Sequence, residues 1–372
     1  MIIGIDASRA YIGQRTGTEN YSYHLIKEML RLPESKTHTF VLFIRPNSIL
    51  PDYLDGYSNV IVKEIKFRYL WTQLGLAWET WQKPILDRLW IPAHTLPVLR
   101  NPKLKTVVTI HGLEYEWLPE YKNWLQKWYL PLSTFYAAKS ASSLIAVSLF
   151  TKKQLKKVFP NIAFDIKVIH EGVEIDSNRV KISKGEALEK FGILPGKYIL
   201  FVGTVQPRKN LVQLIEAFSV FSRLNPGYKL VVAGGIGWMA EEILKAPAKY
   251  DVAELVVFTG RVSEADLSQL YQSAAVYVQP SITEGFGLPI LEAMANDVPV
   301  ITSNGGALPE INADAGIVVA LGDSFVVQLA QKIETVVKNQ TMSGKMIVSG
   351  KKRVMSLSWQ KAAAETLKVL LS

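Results

Sequence analysis

The chain has 372 residues, 48% of them apolar, with no cysteine and a formal net charge of +9. That length suits two domains, and the apolar share supports buried cores rather than disorder. Absence of cysteine excludes disulfides, thiolate catalysis and Cys-based metal sites, and fits a reducing compartment. The charge is uneven: residues 1–180 carry 23 Lys/Arg against 16 Asp/Glu, and seven of the nine tryptophans. Such a half could meet anionic lipid headgroups or nucleic acid, or present a solvated basic surface over an aromatic core.

Residues 1–6 (MIIGID) read as a strand ending in an acid rather than as a signal segment, and no apolar run reaches the roughly 18 residues of a spanning helix. A soluble, cytoplasmic protein is expected. Short apolar runs predict strands near 2–6, 39–44, 60–65, 88–91, 106–110, 143–147 and 166–169. Phe67, Leu70, Trp71, Leu74, Trp78 and Trp81 fall at helical spacing, with Arg68, Gln73, Gln82 and Lys83 off the stripe. A core-facing helix is the expected reading, with a membrane wedge as its rival. His111 ends the 106–110 strand before Gly112, where it could project into an interdomain cleft or sit buried and hydrogen-bonded. Lys152, Lys153, Lys156 and Lys157, beside Leu155 and Val158, make a basic helix face that suits water or an anionic leaflet.

The polar stretch 174–186 marks the expected boundary, separating residues 1–177 from 178–357. Beyond it strand and helix alternate cleanly: strands near 198–203, 228–234, 255–260, 276–280 and 298–303, helices near 211–221, from 239, at 263–273 and at 288–295. Continuous Val/Ile/Leu strands separated by helices predict parallel, doubly wound sheets. The expected fold class is α/β, two Rossmann-like domains facing across a cleft, with ligands beyond the carboxyl ends of the strands.

Two segments carry chemistry. After the 198–203 strand come Arg208 and Lys209, a planar fork and a mobile point charge at a strand-to-helix turn, which suit a diphosphate. Their bland alternative is a pair of exposed cations before a helix. Glu284 and Glu292 bracket Gly285, Phe286, Gly287 and a helix starting at Leu288, with Pro289 in its first turn. The glycines let backbone approach a ligand, and the N–H groups of the helix start favour an anion. A ligand with sugar hydroxyls on both sides of a phosphate fits: a nucleotide sugar. Gly235, Gly237 and Ala240 match the dinucleotide fingerprint, but they follow the second strand of their domain and no acid ends the next strand, so a tight turn is preferred to an NAD site. His24, His38, His94 and His170 show no ligand spacing and there is no Asp-x-Asp pair; no metal is expected.

Together these segments resemble the retaining glycosyltransferases of family 4, with the GT-B fold. The carrying residues are Gly203 with Pro207, Arg208, Lys209 and Asn210, then Glu284 through Pro289 to Glu292, and Pro299 to Ser303. Similarity extends to His111, to Ser148 before its helix, to Glu171 and Gly172, and to Ser358 and Trp359, so it covers nearly the whole chain. The flavour is that of bacterial mannosyltransferases that build O-antigen and related polysaccharides. The resemblance implies that Arg208 and Lys209 hold the donor diphosphate. Glu284 and the N–H groups of Gly285, Phe286 and Gly287 would bind the donor sugar, Leu288 N–H would assist the phosphate, and Glu292 would take the ribose. Val262 would lie at the base, His111 near the reacting carbon, and the helix at 358–372 would return to the first domain.

Two departures stand out. Many relatives read His-Asp where this chain has His111 and Gly112, and the N-terminal glycine loop has Gly17 followed by Glu19 in place of a second glycine. That puts acceptor contacts by this loop in question and adds a carboxylate. The expected reaction moves a hexose, mannose foremost, to a glycan or lipid-linked acceptor, with retention and without metal or cofactor. GDP-mannose is the first donor to test and a UDP-sugar the second. Peripheral contact with an anionic membrane is expected through the basic face at 152–158, with the tryptophan stripe buried, and no nucleic acid. An NDP-sugar epimerase or hydrolase of the same fold and an NAD-dependent oxidoreductase are the rivals.

Overall fold

The computed structural model describes residues 1–13, 15, 17–113, 124–162, 164–174 and 186–372, without the side chains of 124–130. The chain divides into two units, Met1–Gly172 with Ser358–Ser372, and Val173–Leu357. The expected boundary at 177 falls among residues 175–185, outside the described residues.

The first unit holds a seven-stranded parallel sheet: β1 (Ile2–Asp6), β2 (Thr39–Ile44), β3 (Val60–Glu64), β4 (Arg88–Ile91), β5 (Lys105–Ile110), β6 (Ser143–Ala146) and β7 (Lys167–Val168), in the order 3-2-1-4-5-6-7. Its central strands bury both faces, with Val41, Leu89, Val108 and Leu144 in one core, as runs of branched apolar residues in a covered parallel sheet require. The helix Trp359–Leu371 belongs to this unit. Ser358 caps it by accepting from Lys361 N–H at 3.2 Å, and Trp359 stacks on His24 with ring centroids 5.3 Å apart.

The second unit holds six parallel strands: β8 (Tyr198–Val202), β9 (Lys229–Ala233), β10 (Val256–Gly260), β11 (Val276–Gln279), β12 (Val300–Ser303) and β13 (Ile317–Val319), in the order 10-9-8-11-12-13. Phe201, Val232, Val278 and Ile301 pack with Phe218 of the helix Leu211–Leu224 and Ile333 of the helix Phe325–Lys338. Both units thus have parallel sheets whose strand order reverses once, between β1 and β4 and between β8 and β11. Among the described residues no helix is long and apolar enough to cross a membrane.

The stripe at 67–81 does not face the core. A π-helical stretch Trp71–Leu76 runs into the short helix Ala77–Glu79, and the residues turned inward are Trp71, Gly75, Leu76 and Ala77. Trp71 anchors the segment by donating its indole N–H to Ile65 O at 3.2 Å. Of the periodic set only Trp71 is buried; Phe67, Leu70, Leu74, Trp78 and Trp81 are exposed, Trp78 to 62%. The core-facing helix expected from the spacing is therefore corrected: the small Gly75 and Ala77, with Leu76, fill the inward positions beside Trp71, and the bulkier periodic residues turn outward.

Candidate functional site

Where strand order reverses, the loops leaving the carboxyl ends of the two flanking strands come together. In the second unit these are 203–210 after β8 and 280–287 after β11. Two hydrogen bonds stitch them: Ile282 N–H donates to Arg208 O at 2.8 Å, and Asn210 Nδ2 donates to Pro280 O at 3.2 Å. The first loop tightens into a 3₁₀ turn, Pro207–Lys209, which presents its two cations side by side.

Both cations meet Glu284. Arg208 Nη1 donates to Glu284 Oε2 at 2.7 Å and to Thr283 O at 3.0 Å, while Lys209 Nζ donates to Oε1 at 2.5 Å. The same Oε1 accepts from Ser281 Oγ at 2.7 Å and from Gln279 Nε2 at 3.0 Å, and Gln279 accepts from the Tyr277 hydroxyl. Burial alone would raise the pKa of Glu284, but Lys209 and Arg208 outweigh it and hold the carboxyl down at about 2. Two cations thus converge on one carboxylate, in side chains already oriented. Gly306 (φ +63°) makes room: a Cβ there would stand 2.4 Å from Glu284 O, to which Ala307 N–H donates at 2.9 Å.

The second acid behaves differently. Gly287, at φ +108°, precedes the helix Leu288–Ala295, with Pro289 in its first turn and the partly buried Glu292 one turn in. Glu292 Oε2 accepts from the Tyr271 hydroxyl at 2.8 Å. Burial raises its pKa, opposed by the Tyr271 hydrogen bond and helped by Glu264. Gly285 and Leu288 are partly buried and Phe286 is buried. Val262 lies in the turn from β10 into the helix Glu264–Gln272, which carries Tyr271 near its end.

The glycines at 235 and 237 have a packing role. Val205 N–H donates to Gly235 O and Gly237 N–H donates to Val205 O, both at 2.9 Å, and a Cβ on Gly237 would stand 2.7 Å from Thr204 Cγ2. The next helix starts only at Glu241. These residues brace the 203–206 loop in a tight turn, the reading preferred for them.

In the first unit His111 follows β5 and both its ring nitrogens are engaged: Nδ1 with Glu171 Oε1 at 3.2 Å, Nε2 with Pro92 O at 2.8 Å. The Tyr21 ring meets it edge-on at 4.5 Å. His94 accepts the His111 backbone N–H at 3.5 Å, and burial, with His111 and Arg9, lowers its pKa to about 3, which keeps it neutral. Gly17 begins the helix Gly17–Arg31 and Glu19 lies in its first turn, paired with Arg9 at 3.2 Å.

Sequence reasoning missed Tyr271, Gln279 and Ser281, and it marked Glu171 only as part of the resemblance, without a role. One signal was readable: Tyr277, Gln279 and Ser281 alternate at the end of an otherwise apolar strand, a polar stripe on one face. Tyr271 left none, and the pairing of Glu171 with His111 left none either, because each contact forms only through tertiary closure.

Comparison with known proteins now adds to the geometry. The model for glycosyl transferases group 1 matches residues 184–353, and that for glycosyltransferase family 4 matches 15–177. O-antigen chain mannosyltransferase B of Escherichia coli is 28% identical over 267 residues, 71% of this chain and 69% of its own. Sucrose-phosphate synthase from Thermosynechococcus elongatus superposes with a TM-score of 0.76 at 18% identity, covering 99% of this chain and 98% of its own. The Anabaena protein HepE, solved in complex with UDP and glucose, gives 0.70 at 18% identity, with 99% of each chain covered.

Proposed function

The chain belongs to glycosyltransferase family 4, and from that premise we propose that it moves a hexose, mannose foremost, from a nucleoside-diphosphate sugar to a hydroxyl of a glycan or lipid-linked acceptor, with retention of configuration. The observation that carries this reading is the cluster of Arg208, Lys209 and the buried Glu284 where the strand order of the second sheet reverses. Its adjacent guanidinium and ammonium groups suit a diphosphate, and Glu284, with the backbone of Gly285, Phe286 and Gly287, suits the sugar hydroxyls. Leu288 N–H suits the phosphate, Glu292 the ribose, and Val262 lines the base end. His111, held by Glu171, is assigned to the sugar end by the family resemblance.

In the reaction the donor C1–O bond to the diphosphate breaks, and a C1–O bond to the acceptor forms on the same face. The acceptor proton passes to the departing phosphate oxygen, so no protein base is needed. Arg208, Lys209 and the helix start stabilise the leaving charge in place of a metal. An O-antigen mannosyltransferase among the relatives supports GDP-mannose, and the UDP complex of HepE supports a UDP-sugar as second choice. The basic first 180 residues support peripheral contact with an anionic membrane, and we assign the enzyme to the cytoplasmic side with it. A thermal-shift and turnover screen over GDP-, UDP- and ADP-sugars tests the reading. GDP-mannose should stabilise the chain and be consumed with acceptor present. If no nucleotide sugar does either, the proposal fails.

A further inference from the structure

Seven of the exposed large apolar side chains among the described residues fall between Phe67 and Ile85, a density unmatched elsewhere among them. The outward face there carries Phe67, Tyr69, Leu70, Trp78 and Trp81, with Tyr69 75% and Leu70 62% exposed. A second segment joins it. Trp81 donates its indole N–H to Leu99 O at 3.0 Å, Val98 N–H donates to Gln73 Oε1 at 2.9 Å, and Asn101 N–H donates to Thr80 Oγ1 at 2.9 Å. Leu99, itself 71% exposed, therefore extends the same surface. Trp71 below it is buried, so the patch stands on an anchored base rather than on a loose loop.

An apolar face of this size on a soluble domain calls for an occupant. Its chemistry selects one. Between Lys66 and Lys103 the sequence has six Lys/Arg and two Asp/Glu. Lys66, Arg68, Lys83 and Lys103 are exposed, whereas Glu79 is paired with Lys63. Tryptophan and tyrosine bodies ringed by cations match the boundary between acyl chains and anionic headgroups, where indole and phenol sit at headgroup depth and cations meet phosphate. The helix Leu149–Val158 offers less: Leu155 is buried, Lys152 is tied to Asp165 at 2.9 Å, and Leu149 is its one exposed large apolar side chain.

We propose that the first unit docks on an anionic bilayer through the aromatic face formed by Phe67, Tyr69, Leu70, Trp78, Trp81 and Leu99. This deepens the membrane contact proposed above and rests on it, but it assigns that contact to a different face from the lysine helix.

The test is co-sedimentation of the full chain with phosphatidylglycerol or phosphatidylcholine vesicles at low and high salt, for wild type, Trp78→Ser/Leu99→Ser, and a charge reversal of Lys152, Lys153, Lys156 and Lys157. Both changes in the first variant are at well-exposed positions, and an unchanged melting temperature confirms folding. Expected are binding to phosphatidylglycerol that weakens with salt, a loss of about tenfold or more in partitioning for the Trp78/Leu99 variant, and a smaller loss for the lysine variant. In vesicles of brominated lipid, Trp78→Phe should bind yet show less fluorescence quenching than wild type. No binding by wild type at low salt overturns the membrane reading itself. Binding that survives in the Trp78/Leu99 variant and fails in the lysine variant overturns this face alone. A concentration-dependent dimer abolished by Trp78→Ser/Leu99→Ser, without vesicle binding, identifies a second copy as the occupant and overturns the proposal.

Discussion

The two sheets share a strand order yet spend their reversal points on different chemistry. In the second unit two loops close on one buried carboxylate, which two cations meet at 2.7 and 2.5 Å. In the first, His111 meets Glu171 and a carbonyl, and the same unit turns a broad aromatic face outward. The contrast teaches that one scaffold can close the loops at its reversal point on a charged cluster in one copy and on a histidine in the other. Preset charge is expensive to break, so the largest effects should come from the second unit.

Glu284→Ala would leave Arg208 and Lys209 close together with their shared counter-charge gone. Breaking a buried ion pair costs roughly 3–5 kcal/mol, which urea unfolding should show together with lost transfer activity. Because the Glu284 pKa is depressed, its stabilisation is complete above the ordinary value near 4.5 and is lost as pH falls toward about 2. A variant loss within the ~1 kcal/mol of a surface pair would make the cluster no more than a solvated contact.

Arg208→Ala and Lys209→Ala should each lower kcat/KM by about 10- to 100-fold, since each removes a charge-assisted contact worth roughly 1.5–3 kcal/mol. Wild-type rates in both would break the donor side of the comparison. Glu171→Gln sharpens the other side: it should lower kcat by about tenfold by loosening His111, while nucleotide affinity stays unchanged. Weakened nucleotide binding would show that the two regions do not divide the work in this way.

Glu292 gives the smallest effect. Glu292→Gln should mainly raise donor KM, because ribose contacts act equally in ground and transition states. Tyr271→Phe removes one hydrogen bond of about 1 kcal/mol, or roughly fivefold. Burial raises the Glu292 pKa above 4.5, so donor KM should climb as pH falls through that raised value. The Tyr271 hydroxyl favours the ionised form, so Tyr271→Phe should move the rise to higher pH. A KM profile indifferent to both changes would detach Glu292 from the ribose.

Sequence pattern made most of the sheets legible, because parallel strands buried on both faces are continuous branched apolar runs, as in 39–44 and 276–279. It also marked Arg208, Lys209, Glu284 and Glu292, since each sits at a strand-to-helix turn or a helix start with a local signature. It could not show that Glu284 meets Arg208 across 76 residues, or His111 meets Glu171 across 60. The stripe at 67–81 failed for another reason. Periodicity reports that one face is apolar, and only the packing of Trp71 and Leu76 decides whether that face looks in or out.

The central claim is that the second unit is built to hold a nucleoside diphosphate through preset protein charge. Calorimetric titration of GDP and of guanosine into the full chain, both with EDTA present, tests it most directly. The account predicts that GDP binds under chelation and that guanosine binds at least ~100-fold more weakly, since the diphosphate makes two or more charge-assisted contacts. Equal affinity for the two, or GDP binding that vanishes with EDTA and returns with Mg²⁺ or Mn²⁺, would contradict it.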